Sequence, residues 1–188
     1  VDVNRDGILD NSDRTDLGNP YPDFNWGITN NFKYKNIDFS FLVQGVQGGK
    51  VINGDPNYNE SRRTIKIYSQ NRWVSAANPG DSKTPFSTNG YNWMLTDYVI
   101  ENGSYFALRE VNLGYTLPTS SIKKLKISSM RFYLSAQNLY FHTAKGYRSL
   151  NPEGRSNNGA YSSVLVDGYQ RGAFPIPQTI TAGIDINF

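Results

Sequence analysis

Apolar and polar side chains alternate along five stretches of this chain. Alternation with period two marks a strand whose two faces meet different surroundings. In residues 178–188, Ile180, Ala182, Ile184, Ile186 and Phe188 share one face, and Thr179, Thr181, Gly183, Asp185 and Asn187 the other. In residues 37–45, Ile37, Phe39, Phe41, Val43 and Gly45 oppose Asp38, Ser40 and Gln44, with Leu42 out of pattern. In residues 24–34 the apolar set is Phe24, Trp26, Ile28, Phe32 and Tyr34, broken by Asn30. Val111, Leu113, Tyr115 and Leu117 oppose Glu110, Asn112, Gly114 and Thr116. Met130, Phe132, Leu134 and Ala136 oppose Arg131, Tyr133, Ser135 and Gln137. After Gln137 the phase slips, because Leu139 and Phe141 fall on the polar face. A bulge near Asn138 would repair it.

Each stretch runs about nine to eleven residues, the length a tilted strand needs to cross a bilayer. The connections alternate between short and long. Lys35-Asn36 and residues 118–129 are short; residues 49–103 and 144–177 are long. That is the arrangement of an outer-membrane barrel, with short turns on the periplasmic side and long loops outside. Aromatic residues near strand ends (Tyr34, Tyr115, Tyr140, Phe188) suit the interfacial girdles of such a barrel. Membrane barrels begin at eight strands, and an open edge in lipid leaves backbone groups unpaired at several kcal/mol each. Five strands therefore predict an all-β wall segment that pairs with strands from elsewhere. The competing expectation is a soluble β-sandwich, a calcium-braced glycan-binding or adhesion module, which also shows strand alternation.

Composition narrows the chemistry. The 188 residues hold no cysteine and a single histidine, His142, so a disulfide framework and a thiolate metal site are excluded. Tyr 13, Phe 10 and Trp 3 against 19% charged residues give a chain rich in aromatics and poor in charge. A net charge of +3 is too small to argue for nucleic acid. No G-x-S-x-G or H-E-x-x-H occurs, and the glycines of residues 45–51 lack phosphate-loop spacing. No enzyme is expected. The chain opens at Val1 without a basic leader, which suggests an interior cut in a longer protein.

The first residues carry one strong site pattern. Asp2, Asn4 and Asp6 stand at positions 1, 3 and 5 of a D-x-[DN]-x-[DN]-G loop, and Gly7 permits its sharp turn. Ile8 would offer a backbone carbonyl, Asp10 sits at position 9, and Asp13 at position 12, where a longer Glu is usual. Leu9 is the apolar anchor. The spacing predicts a Ca2+ site, or Mg2+, that braces residues 1–23. Other candidates read as structural. Lys123, Lys124 and Lys126 suit a solvated turn, Arg62, Arg63 and Lys66 a long loop, and His142 a girdle or loop position. Trp73, Tyr91, Trp93 and Tyr98 suit a loop's own small core more than a sugar platform.

Several passages resemble the C-terminal part of SusC/RagA-type TonB-dependent outer-membrane transporters. They are the Asp-rich loop with Leu17-Gly18-Asn19-Pro20-Tyr21-Pro22-Asp23-Phe24, the run Phe41 to Gly48, and Arg72-Trp73 with Asn78-Pro79. Asn102-Gly103-Ser104-Tyr105, Leu113-Gly114-Tyr115-Thr116-Leu117-Pro118, Leu134 to Leu139 and Ile184-Asp185-Ile186-Asn187-Phe188 follow in the family's order. Phe141-His142 departs from it. The resemblance implies the last five strands of a barrel of about 22, over residues 24–48, 104–117, 130–143 and 178–188. It also implies a plug and a TonB-box segment outside this chain, a SusD-like surface lipoprotein as partner, and import of large solutes such as glycans or peptides. The location implied is the bacterial outer membrane, with the metal loop and residues 49–103 and 144–177 outside. Phe188 is expected to act as an assembly signal.

Overall fold

A computed structural model describes residues 2–8, 10–54, 70–82, 84, 96–123, 127–154, 168–170 and 173–188. Eight strands are present among the described residues: β1 (Phe24–Tyr34), β2 (Ile37–Gln47), β3 (Lys50–Asn53), β4 (Ile100–Asn102), β5 (Tyr105–Thr116), β6 (Ser129–Thr143), β7 (Tyr169–Gln170) and β8 (Thr179–Asn187). The five long ones form one antiparallel sheet in the order β1-β2-β5-β6-β8. Neighbouring strands in the sheet are also successive long strands in the chain, a meander. The connection between β1 and β2 is Lys35-Asn36, with Lys35 left-handed at φ 52°. Between β5 and β6 the chain makes one helical turn, Thr119–Ile122, whose Ile122 is buried.

Registry carries the alternation across the sheet. Tyr34 pairs with Ile37, Ile37 with Tyr115, Tyr115 with Phe132 and Phe132 with Ile184, so one row of large apolar side chains spans all five strands. On the opposite face Asn31, Ser40, Asn112, Ser135 and Thr181 form an equally continuous row of uncharged polar groups. Two of these strands pass glycines under large rings. A Cβ at Gly45 would meet the Trp26 ring at 2.3 Å, and one at Gly183 would meet Tyr133 at 2.4 Å. Trp26–Gly45 and Tyr133–Gly183 are direct cross-strand pairs, so each ring covers the backbone that its partner leaves bare.

The sheet is irregular at one place. Leu42 pairs with Glu110 and Val43 with Leu108, leaving Arg109 without an opposite number on β2. On the other side Glu110 pairs with Gln137 and Leu108 with Tyr140, so Asn138 and Leu139 face the single Arg109. Asn138 takes a left-handed φ of 54° there. The sequence places the irregularity correctly and mistakes its effect. β6 keeps its phase, with Tyr140 and His142 on the apolar face beside Phe106. It is β5 that changes face, so Leu108 and Phe106 take the apolar side. Phe141 stays on the polar face, where its ring lies beside Tyr105.

The segments 49–103 and 144–177 contain a second sheet, β4-β3-β7, with β3 and β7 parallel. It continues from the end of β2 through Gly48 and Gly49, both at positive φ (81° and 76°). Val51, Asn53 and Gln170 are fully buried in it, together with Val99 just before β4.

Candidate functional site

The apolar face of the large sheet has nothing packed on it among the described residues. Ile37 is 45% exposed, Leu134 48% and Ile184 56%. A soluble sandwich needs these rows dry between two stacked sheets, so the sandwich expectation is overturned. Rows of exposed Phe, Leu and Ile in water cost about 1.5–3 kcal/mol for each side chain left unburied. They are at ease only against lipid. Aromatics gather at both ends of the face. Tyr34, Tyr115 and Phe132 line the end with the Lys35-Asn36 turn, and Trp26, Phe106, Tyr140 and His142 the other. The His142 ring lies tilted against Phe106, with centroids 5.1 Å apart.

The polar face is organised by charge at the turn end. Arg131 on β6 reaches across β5 to Asp38 on β2 with two bonds, Nη2 to Oδ2 at 2.6 Å and Nε to Oδ1 at 3.1 Å. Its Nη1 approaches Asp185 on β8 at 3.4 Å. The bridge exists because Gly114 lies beneath it: a Cβ there would stand 2.3 Å from Arg131 Nη2 and 2.5 Å from Asp38 Oδ1. Lys33, paired with Asp38, extends the alternation of charges to β1. The sequence pattern puts Asp38, Gly114 and Arg131 on one face. It carries no signal that a guanidinium on the neighbouring strand needs the glycine to reach a carboxylate two strands away.

The Asp-rich loop folds around its own backbone. Asp2 accepts from the N–H groups of Arg5 (2.6 Å) and Gly7 (2.9 Å), Asn4 from Asp6 (3.0 Å) and Asp6 from Ile8 (2.8 Å). Asp13 reaches back to the N–H groups of Val3 (2.7 Å) and Asp10 (2.9 Å), joining the two ends of the loop. Those backbone bonds, Asp10 foremost and then Val3, hold the Asp13 carboxyl below the usual carboxylate range. Among the described residues no group of three or more His, Cys, Asp or Glu converges as a metal centre would. The donors that the loop offers are oxygens only, which suits a hard cation and no soft one. Asn19 O accepts from Lys50 N (2.8 Å) and Asp23 N donates to Gln47 O (2.9 Å), so the segment after the loop runs beside β3 and the end of β2.

Tyr98 lies under the Arg148 guanidinium, 4.5 Å from its ring centroid, and burial raises its hydroxyl pKa against the pull of that cation. Trp73 belongs to a hairpin-like segment, with its N–H on Thr84 O at 2.8 Å. Leu9, Arg62, Arg63, Lys66, Tyr91, Trp93, Lys124 and Lys126 lie outside the described residues. Phe188 follows β8 directly and is exposed.

A single sheet of long strands, apolar and bare on one side and hydrogen-bonding on the other, is a piece of membrane β-barrel wall. No family model matches the chain. Its whole length aligns with TonB-dependent receptor P26 of Formosa agariphila, at 32% identity over 198 residues. It also aligns with TonB-dependent receptor SusC of Bacteroides thetaiotaomicron, at 24% over 189 residues. The chain spans 19% and 17% of those two proteins. Among solved structures, the RagAB peptide importer in its closed-closed state superposes with a TM-score of 0.66 over 89% of this chain and 17% of that one, at 21% identity. Its open-open state gives 0.62. The chain is a C-terminal portion of a TonB-dependent receptor of the SusC/RagA kind, and the relatives it matches are receptors and transporters, not enzymes.

Proposed function

We propose that the whole protein imports a large solute, a glycan or a peptide, across the bacterial outer membrane, and that this chain supplies barrel wall and outside loops. The single observation that carries the reading is the bare apolar row from Tyr34 to Ile184 backed by the uncharged polar row from Asn31 to Thr181. Such a wall separates lipid from an aqueous interior and performs no bond chemistry. The likeness to SusC and to RagAB supports a SusD-like surface lipoprotein as the partner and TonB as the energy source, through parts of the protein outside this chain. The segments 49–103 and 144–177 and the Asp-rich loop then face outward, where such a partner and the solute arrive. Phe188 extends the lipid-facing row of β8 and serves barrel assembly.

The test uses the full receptor in cells. A fluorescein-labelled oligopeptide mixture and a labelled oligosaccharide are offered to cells with and without the receptor, and with and without TonB. Receptor- and TonB-dependent uptake of one probe is expected. Equal uptake of both probes by receptor-deleted cells overturns the reading.

The Asp-rich loop is assigned Ca2+ within this proposal, with Asp2, Asn4, Asp6, Asp10 and Asp13 side chains and the Ile8 carbonyl as donors. The ion would replace like-charge repulsion among these carboxylates by attraction and stiffen the loop. Calcium titration of the full receptor is expected to lose one binding event in Asp6→Ala. Unchanged calcium uptake by that variant refutes the assignment.

A further inference from the structure

The bulge at Arg109 has a purpose that the wall alone does not require. A bulge re-aims a side chain, and here it delivers a guanidinium to the polar face at the end where β2, β5 and β6 meet the second sheet. Arg109 Nε donates to Gln44 Oε1 at 3.3 Å and Nη1 to Asn138 Oδ1 at 3.1 Å, the left-handed residue of the bulge itself. The guanidinium lies over the Phe141 ring, 5.0 Å from its centroid. That explains why an aromatic occupies the polar face there. The remaining nitrogen, Nη2, pairs with Glu153, which belongs to no strand and also accepts from the Tyr105 hydroxyl at 2.7 Å.

Residues 147–154, which carry Glu153, are held at their other end by the second sheet. Arg148 donates through Nε to Glu101 Oε1 (2.7 Å), through its backbone N–H to Oε2 of the same carboxylate (3.0 Å), and through Nη2 to Tyr98 O (2.6 Å). Tyr147 donates to Gln170 Oε1 at 2.7 Å. The segment is therefore a strap with two ion pairs, one to the loop sheet and one to the barrel wall. The side chains of the wall pair retain 16% and 30% exposure, against 3% for Glu101.

We propose that Arg109–Glu153 is a latch that holds residues 147–154 against the inner wall of the barrel, and that its release uncovers the wall at Tyr105 and Ala107. Ala107 is on the polar face, paired with Gln44 and Phe141, and fully buried. The latch rests on the barrel fold and stands whether or not the importer reading does.

The chain has no cysteine of its own, so Ala107→Cys in the full receptor is a clean reporter within this segment. Labelling by a bulky maleimide is followed by mass spectrometry of the peptide that contains residue 107. A charged hydrogen bond lost on one side predicts that Glu153→Gln and Arg109→Gln each raise the labelling rate about tenfold or more. The double Gln variant should match either single one, because both remove the same contact. The exchange Arg109→Glu with Glu153→Arg should return the rate toward the parent's. Heat-modifiable migration checks that each barrel has formed. Should Arg109→Gln prevent assembly, Glu153→Gln decides alone, since Glu153 lies outside every strand. Labelling rates unchanged in Glu153→Gln, or two single effects that add in the double variant, overturn the latch.

Discussion

The two sheets of this chain solve the problem of burial in opposite ways. The large sheet buries few side chains and leaves its Phe, Leu and Ile rows bare, because lipid is their solvent. The small sheet β4-β3-β7 is short and polar, yet Asn53, Gln170 and Glu101 are among its most buried residues. Each of these is answered. Asn53 donates to Glu101 at 2.7 Å, Glu101 receives Arg148, and Gln170 joins Tyr147 and Asn151. One sheet is held by its surroundings and the other by a polar network that ties it to residues 147–151. A network of that kind tolerates no missing member, because a buried polar group without its partner costs more than the bond was worth.

The contrast can be broken at its strongest point first. Glu101→Gln removes the charged acceptor of Arg148 Nε and of its backbone N–H, and removing one partner of a buried pair costs about 3–5 kcal/mol. The expected result is early proteolysis within residues 144–154 while heat-modifiable migration of the barrel persists. Simultaneous loss of both would show that the two sheets are one cooperative unit. On the large sheet, Leu134→Arg puts a cation on the lipid face and is expected to cost about 2–4 kcal/mol if that residue sits near the bilayer midplane. Urea titration of the receptor folded into vesicles measures it. The same substitution at Ser135, on the polar face, should cost far less, and equal costs would refute the assignment of faces.

Gly114→Ala acts on the large sheet's only cross-sheet ion bridge among the described residues. A methyl group at that point overlaps both Arg131 and Asp38, and overpacking of this kind costs about 1–3 kcal/mol. Asp38→Ala combined with Gly114→Ala should cost less than the sum of the two, and strict additivity would separate the glycine from the bridge. The smallest effect belongs to the Asp-rich loop. The Asp13 pKa is depressed in the fold. Its contribution is thus present above the unfolded carboxylate value of about 3.9 and is lost as pH falls through the lower folded value. Protection of the Val3 and Asp10 amides from hydrogen exchange should decline on acidification below about pH 4. Asp13→Asn should abolish that pH dependence.

How much of this was readable depended on length. Five stretches of alternation are long enough for the period of two to rise above chance, and the two-residue hairpin Lys35-Asn36 and the irregularity at Asn138 follow from the same pattern. Strands of two to four residues carry no period, so β3, β4 and β7 left no trace. Glu101, Arg148, Asn53 and Gln170 look like solvated loop residues when read in order, because each finds its partner about 20 to 50 positions away. The turn of the Asp-rich loop was legible because its side chains and the backbone N–H groups they accept from lie within a dozen residues.

Sequence alone determined which face of each long strand is apolar, since side chains on a strand must alternate whatever the strand pairs with. It thereby determined the character of the wall. Tertiary structure alone decided the registry between strands, that β5 changes face at Arg109, that Gly114 makes room for a guanidinium, and that residues 147–154 are tied at both ends. Those are properties of registry between distant segments, and a one-residue slip would move every partner to the other side of the sheet.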